Sequence, residues 1–128
     1  MKIKMIEKKF KNGQVRIEYK LNGVLHNEDD QPAYYYYNSD GTLSEKRWYV
    51  NGKIHREVGP AVINYISGKP YEQQYYKNGV LHNLNGPAIT LGIVLNTRFG
   101  RDDEYWVDGV EYEHDLQYCV AVGIYEGE

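Results

Sequence analysis

The chain repeats itself, and that repetition constrains its fold more than any other feature. Tyr19–Ala33 reads YKLNGVLHNEDDQPA, Trp48–Ala61 reads WYVNGKIHREVGPA, and Tyr75–Ala88 reads YYKNGVLHNLNGPA. A decayed fourth copy, YWVDGVEYEHD, opens at Tyr105. Gly23, Gly52, Gly79 and Gly109 keep the register, with steps of 29, 27 and 30 residues. The segment KFKNGQV at Lys9–Val15 reads as a leading half-copy. A unit this short cannot bury an apolar face alone, so successive copies must pack on one another.

Each copy translates into backbone geometry. Asn-Gly tolerates positive φ at both central positions of a type I′ turn, whose twist suits a β-hairpin. The flanks are strand formers, Leu43 to Val50 before one turn and Lys53-Ile54-His55 after it. Gly59-Pro60 and Gly86-Pro87 interrupt the ladder, because proline has no N–H to give. Gln31 replaces that glycine in the first copy, so its bend should differ. Ala61–Tyr65 and Ala88–Leu91 resume as strands, with further turns at Asn38–Gly41 and Ser67–Pro70. No segment sustains a helical apolar period. The expected fold is all-β, an antiparallel meander of repeated hairpins in one domain spanning 1–128. Its copies cover about 19–47, 48–74 and 75–104, with a degenerate one at 105–115. Within the third, Ile93-Val94-Leu95 extends a strand and 97–103 forms a loop. The apolar tail at 117–125 reads as a closing, capping strand, because a repeat stack needs one.

Composition removes several classes. No apolar run approaches the roughly 20 residues of a membrane helix. The start MKIKMIEKKF lacks the apolar core of a secretory signal, so a cytoplasmic location is expected. One cysteine, Cys119, allows neither an internal disulfide nor a Cys-cluster zinc site, and its apolar strand context makes it a buried, inert thiol. The net charge of −3 is unevenly spread. Residues 1–20 hold seven Lys/Arg against two Glu, the middle of the chain is balanced, and residues 101–128 hold one Arg against nine acids. A basic head and an acidic tail can blunt the sheet edges against pairing, or guide one copy's head onto another's tail.

Candidate chemistry is sparse. His26, His55 and His82 share one repeat position. If each repeat supplies two strands, equivalent positions lie at least about 9.6 Å apart, too far for zinc ligands at about 2.0–2.1 Å from one ion. Their expected role is to hydrogen-bond the bend leading to their own Pro-Ala. His114, between Glu113 and Asp115, is expected to be exposed. Ser39, Ser44 and Ser67 lack a nucleophile-elbow context, and the Glu28–Asp30 and Asp102–Glu104 runs lack calcium-loop spacing. No enzyme activity and no cofactor are expected. Gly23, His26, Gly52, His55, Pro60, Gly79, His82, Pro87 and Gly109 are assigned to repeat structure.

The aromatics are the better lead, with 14 Tyr and 2 Trp against 2 Phe. Tyr19, Trp48, Tyr75 and Tyr105 stand at one position per copy and suggest a stacked structural ladder. Tyr49, Tyr76 and Trp106 follow them and should face the other way. The Tyr34–Tyr37 run alternates faces. A surface of Tyr35, Tyr37, Tyr49, Tyr76 and Trp106, rimmed by Lys46, Arg47, Arg56 and Lys77, is therefore the candidate partner-binding site. Tyrosine gives large contact area at low entropic cost.

NGKIHREVGPA at Asn51–Ala61 resembles the MORN-type repeat, in the NGxxHRExGPA variant carried by phage and giant-virus proteins. The similarity spans about residues 9–113. Asn27 and Asn83 stand in the Arg position, Gln31 in the Gly position and Tyr112 in the His position. The resemblance implies a β-sheet used for protein binding, including inhibition of a host defence protein or toxin. The alternative is nucleic-acid or nucleotide binding, through aromatics interleaved with cations, or nucleic-acid mimicry by the acidic C-terminal end. The net charge of −3 argues against the binding form of it.

Overall fold

A computed structural model describes residues 2–91 and 103–112. All secondary structure in them is β. Seven strands pair antiparallel in chain order: β1 (Lys4–Lys9), β2 (Val15–Leu21), β4 (Tyr34–Tyr37), β5 (Leu43–Arg47), β8 (Val62–Ile66), β9 (Lys69–Gln74) and β12 (Ile89–Leu91). The repeat hairpins lie beside this meander. β3 (Val24–Leu25) folds back on the end of β2. β6 (Tyr49–Val50) pairs with β7 (Lys53–Ile54), β10 (Tyr76–Lys77) with β11 (Val80–Leu81), and β13 (Tyr105–Val107) with β14 (Val110–Tyr112). One repeat is thus a sheet strand, a two-residue hairpin, a bend at Pro-Ala and a returning strand.

The Asn-Gly pairs adopt the expected turns: Asn51 and Gly52 have φ of +50° and +83°, and the other three copies match them closely. Gly52 also packs closely, since a Cβ there would sit 3.5 Å from Val24 Cβ. The first bend differs as anticipated. Asp29 and Asp30, not a glycine, take positive φ there, at +58° and +57°.

The hairpins stack through a repeated set of bonds. Gly52, Gly79 and Gly109 donate their N–H to the carbonyls of Leu25, Ile54 and Leu81, at 2.8, 2.7 and 2.8 Å. Asn51, Asn78 and Asp108 donate theirs to Nδ1 of His26, His55 and His82, at 2.9, 3.0 and 2.9 Å. An amide can only donate, so Nδ1 must be the acceptor and the ring proton sits on Nε2. From there His26 and His55 reach Glu28 and Glu57, at 3.1 and 2.9 Å. Each imidazole therefore braces the turn of the following copy. In the first two copies those Nε2 contacts are the expected bonds to the bend leading to the histidine's own Pro-Ala, and the proline carbonyl of each bend is held by the next residue: Asn27, Arg56 and Asn83 donate to the carbonyls of Pro32, Pro60 and Pro87. Asn and Arg are interchangeable there because both carry an N–H that reaches the same oxygen.

Three expectations change. Lys9–Val15 turns β1 into β2, but Gly13 packs against Ser39, so this turn joins the row at the opposite edge rather than leading the hairpin stack. The strand expected over Leu43–Val50 is broken at Trp48 into β5 and β6: Trp48 N–H still bonds Ala61 O in the register of Arg47 and Val62, whereas Tyr49 pairs with Ile54 of its own hairpin. The rings of Tyr19, Trp48 and Tyr75 do not stack on one another; the Trp48 ring is covered by the Arg56 guanidinium at 3.9 Å. What repeats is the backbone, with Ala33, Ala61 and Ala88 wholly buried at the bends. Trp48, Val62, Ile89 and Val107 complete the small apolar core, and no large side chain among the described residues is fully enclosed. The expected extension at 93–95, the loop at 97–102, the capping strand at 117–125, Cys119 and His114 lie outside the described residues.

His26 is the most buried of the three bracing histidines. His26→Ala should strand the Asn51 amide and cost about 1–3 kcal/mol. Urea titration should show a lower midpoint at unchanged slope.

Candidate interaction surface

Cross-strand register decides which side chains share a face, since directly opposed residues project together. Val15 opposes Tyr37, Ile17 opposes Tyr35, Tyr35 opposes Lys46, and Lys46 opposes Ile63. One face therefore carries Val15, Ile17, Tyr35, Tyr37, Lys46 and Ile63. Tyr19 joins it by an edge contact with Tyr35, ring centres 6.2 Å apart, and Tyr35 stacks on Tyr37 at 6.4 Å and 10°. Tyr65 joins through Lys46, whose Nζ lies 5.8 Å from the ring centre. All these residues are half-buried and none is enclosed. Burial raises the Tyr35 pKa, and neighbouring Tyr19 and Tyr37 push it the same way. The Tyr35 phenol therefore stays a neutral donor.

The opposite face is a charge-and-hydroxyl network. Arg16, Glu18, Tyr34, Tyr36, Glu45, Arg47, Val62, Asn64, Glu72 and Gln74 belong to it by register. Val62, Glu72 and Ile89 are buried there, whereas the buried residues of the tyrosine side, Ala33, Trp48 and Ala61, lie at the strand ends beside the bends. Arg47 binds Glu45 at 2.8 Å and lies over the Tyr34 ring at 5.0 Å. Burial pulls the Arg47 pKa down, but hydrogen bonds to Tyr49 and Glu45 outweigh it, and the net shift is upward. Tyr76 donates to Gln74 at 3.1 Å and Trp106 to Glu104 at 3.0 Å. Each second aromatic of a copy thus pairs with the residue two before it.

The nine residues expected to form one site fall into three groups. Tyr35, Tyr37 and Lys46 share the open face. Arg47, Tyr49, Tyr76 and Trp106 engage the polar pairs just described. Arg56 and Lys77 engage the bends: Arg56 grips Asp30 with two bonds of 2.9 and 3.0 Å, and Lys77, in β10, donates to Glu57 O at 2.7 Å. A groove of about 500 Å³ runs between the first two bends, with His26, Asp30, Trp48, His55 and Arg56 on its wall. Its one arginine, Arg56, is already engaged in holding copies together. Sequence reasoning missed Tyr19, Ile17, Ile63 and Tyr65 as members of the tyrosine face; their two-residue alternation carried the signal.

Among the described residues, no group of three or more His, Cys, Asp or Glu side chains is placed to hold a metal ion. Among the same residues, no helix is long and apolar enough to cross a membrane. Comparisons with protein-family models, curated proteins and solved structures find no match to this chain.

The Asp30–Arg56 pair predicts an acid sensitivity. The Arg56 hydrogen bond holds the Asp30 carboxyl below its ordinary value of 3.8. Its stabilisation is therefore full above that value and lost as pH falls through the lower folded-state pKa. Between about pH 6 and about pH 3, wild type should lose more stability than Asp30→Asn, by about 0.2–1 kcal/mol for so exposed a pair. Urea titrations at the two pH values measure the difference.

Proposed function

We propose that this chain is a non-enzymatic module that binds a protein partner on its open tyrosine face. The reading rests on one observation: Tyr19, Tyr35 and Tyr37 hold each other in place, only half-buried, on one face of the sheet, beside Ile17, Ile63, Tyr65 and Lys46. Aromatics ordered before binding lose little entropy on contact, and their hydroxyls still offer hydrogen bonds. Among the described residues, Lys46 is the one charged residue at the centre of this face, with Glu7 and Lys9 opposite Ile17 and Val15 at its edge, a sparse and mixed charge that suits a protein surface better than a phosphate backbone. On the other face the arginine and lysine side chains are interleaved with Glu18, Glu45 and Glu72, which reduces their pull on nucleic acid. Similarity of the repeat to phage and giant-virus copies favours a host protein, blocked by occlusion, as the partner.

The test combines photo-crosslinking from position 35 with capture by paired variants. Tyr35→Thr/Tyr37→Thr keeps strand propensity and should weaken partner binding by about 30-fold or more. Tyr49→Phe/Tyr76→Phe should retain it. A partner lost by the second pair and kept by the first would refute this face, as would salt-dependent binding of single-stranded DNA or RNA that the first pair abolishes.

A further inference from the structure

The hairpin stack is unfinished at both of its described ends, and the two ends are complementary. At each internal junction one copy receives two turn amides from the next, one on a histidine Nδ1 and one on a carbonyl. In the first copy the equivalent amides belong to Asn22 and Gly23. Among the described residues neither has an acceptor. Where a preceding copy would lie there is a groove of about 380 Å³, lined by Lys2, Lys4, Ile6, Lys20, Asn22 and Gly23. At the far end, Glu111 occupies the position of Leu25, Ile54 and Leu81. Its carbonyl, the counterpart of the three that receive glycine amides, has no donor among the described residues. Asp108 in the same hairpin has an exposed carboxylate.

Unused donors therefore sit among three ammonium groups, and the unused acceptor sits beside two carboxylates. We propose that the β13–β14 hairpin of one molecule docks on the β2–β3 hairpin of a second, extending the stack head to tail. The Gly23 amide takes the Glu111 carbonyl, as Gly52 takes that of Leu25, while Lys4 and Lys20 face Asp108 and Glu111. Tyr112 stands where the other copies have histidine, so this junction lacks the imidazole acceptor and relies on charge instead. It is accordingly weaker than an internal junction and sensitive to salt. The two surfaces differ, so the contact is heterologous and builds open chains rather than closed dimers. Charges that merely kept molecules apart would serve equally with one sign at both ends; here the signs are opposite.

Sedimentation velocity on the full chain tests this. From about 10 µM to about 1 mM protein, the weight-average mass should rise in about 20 mM salt and return to monomer in about 500 mM. Lys4→Glu/Lys20→Glu and Glu111→Lys should each weaken association about tenfold or more, with circular dichroism unchanged. An equal mixture of the two should restore it, because each supplies the charge the other now needs. Association should perturb the Asn22 and Gly23 amide resonances, and Tyr35→Thr/Tyr37→Thr should associate like wild type. The proposal is overturned by a monomer at every concentration and salt, by variants that associate like wild type, by a mixture that does not recover, or by association that leaves those two amides unmoved.

Discussion

The bond from a turn amide to the histidine of the preceding copy organises this molecule. A two-residue hairpin turn leaves both central N–H groups outside its own ladder, and in an isolated hairpin water takes them. Here Asn51, Asn78 and Asp108 give theirs to an imidazole, and the following glycines give theirs to a carbonyl. Each such bond is worth only about 0.5–1.5 kcal/mol net. Their value lies in recurrence at every junction, with an unchanged partner type. The turn must be type I′ to aim both amides at the same neighbour, and the histidine must keep Nδ1 free to accept. Conservation of geometry between copies follows from those two requirements.

This arrangement explains how a thin sheet with a small core holds together. The enclosed apolar residues are mostly alanines at the bends, with Trp48, Val62, Ile89 and Val107. Stability must come from nearest-neighbour terms, as in other repeat architectures. The bends add a second layer of such terms through Asn27, Arg56 and Asn83 to the proline carbonyls, and through the Asp30–Arg56 pair. Because the repeat contacts are concentrated at the hairpin edge, the broad faces of the meander are left half-covered. One of them is free to carry tyrosines, and the other is occupied by paired charges.

Much of this was legible in the residues. Asn-Gly announced the hairpin turns, Pro-Ala the bends, and Gln31 the irregular first bend, because each encodes a local backbone geometry. What was not legible was where local pieces meet. Asn12-Gly13 carries the same turn signal as Asn22-Gly23, yet it sits at the opposite edge, since a turn signal says nothing of its neighbours. The bonds of His26 and His55 to Glu28 and Glu57 in their own bends follow from sequence proximity, whereas the Nδ1 bond to a turn 23–26 residues on does not. Two-residue alternation holds through Trp48, but the cross-strand register was not legible: Tyr35 opposes Lys46, so Tyr49 falls with Arg47 on the other side, and the expected site divides into separate groups.

Amide hydrogen exchange reads the junction most directly. In dilute protein at high salt, the amides of Asn51, Gly52, Asn78, Gly79, Asp108 and Gly109 should exchange slowly, although turn amides ordinarily exchange fast. Asn22 and Gly23, in the same turn but with no preceding copy, should exchange at near-unprotected rates. Uniformly fast exchange at all eight positions would contradict the account, because the copies would then not be joined through their turns.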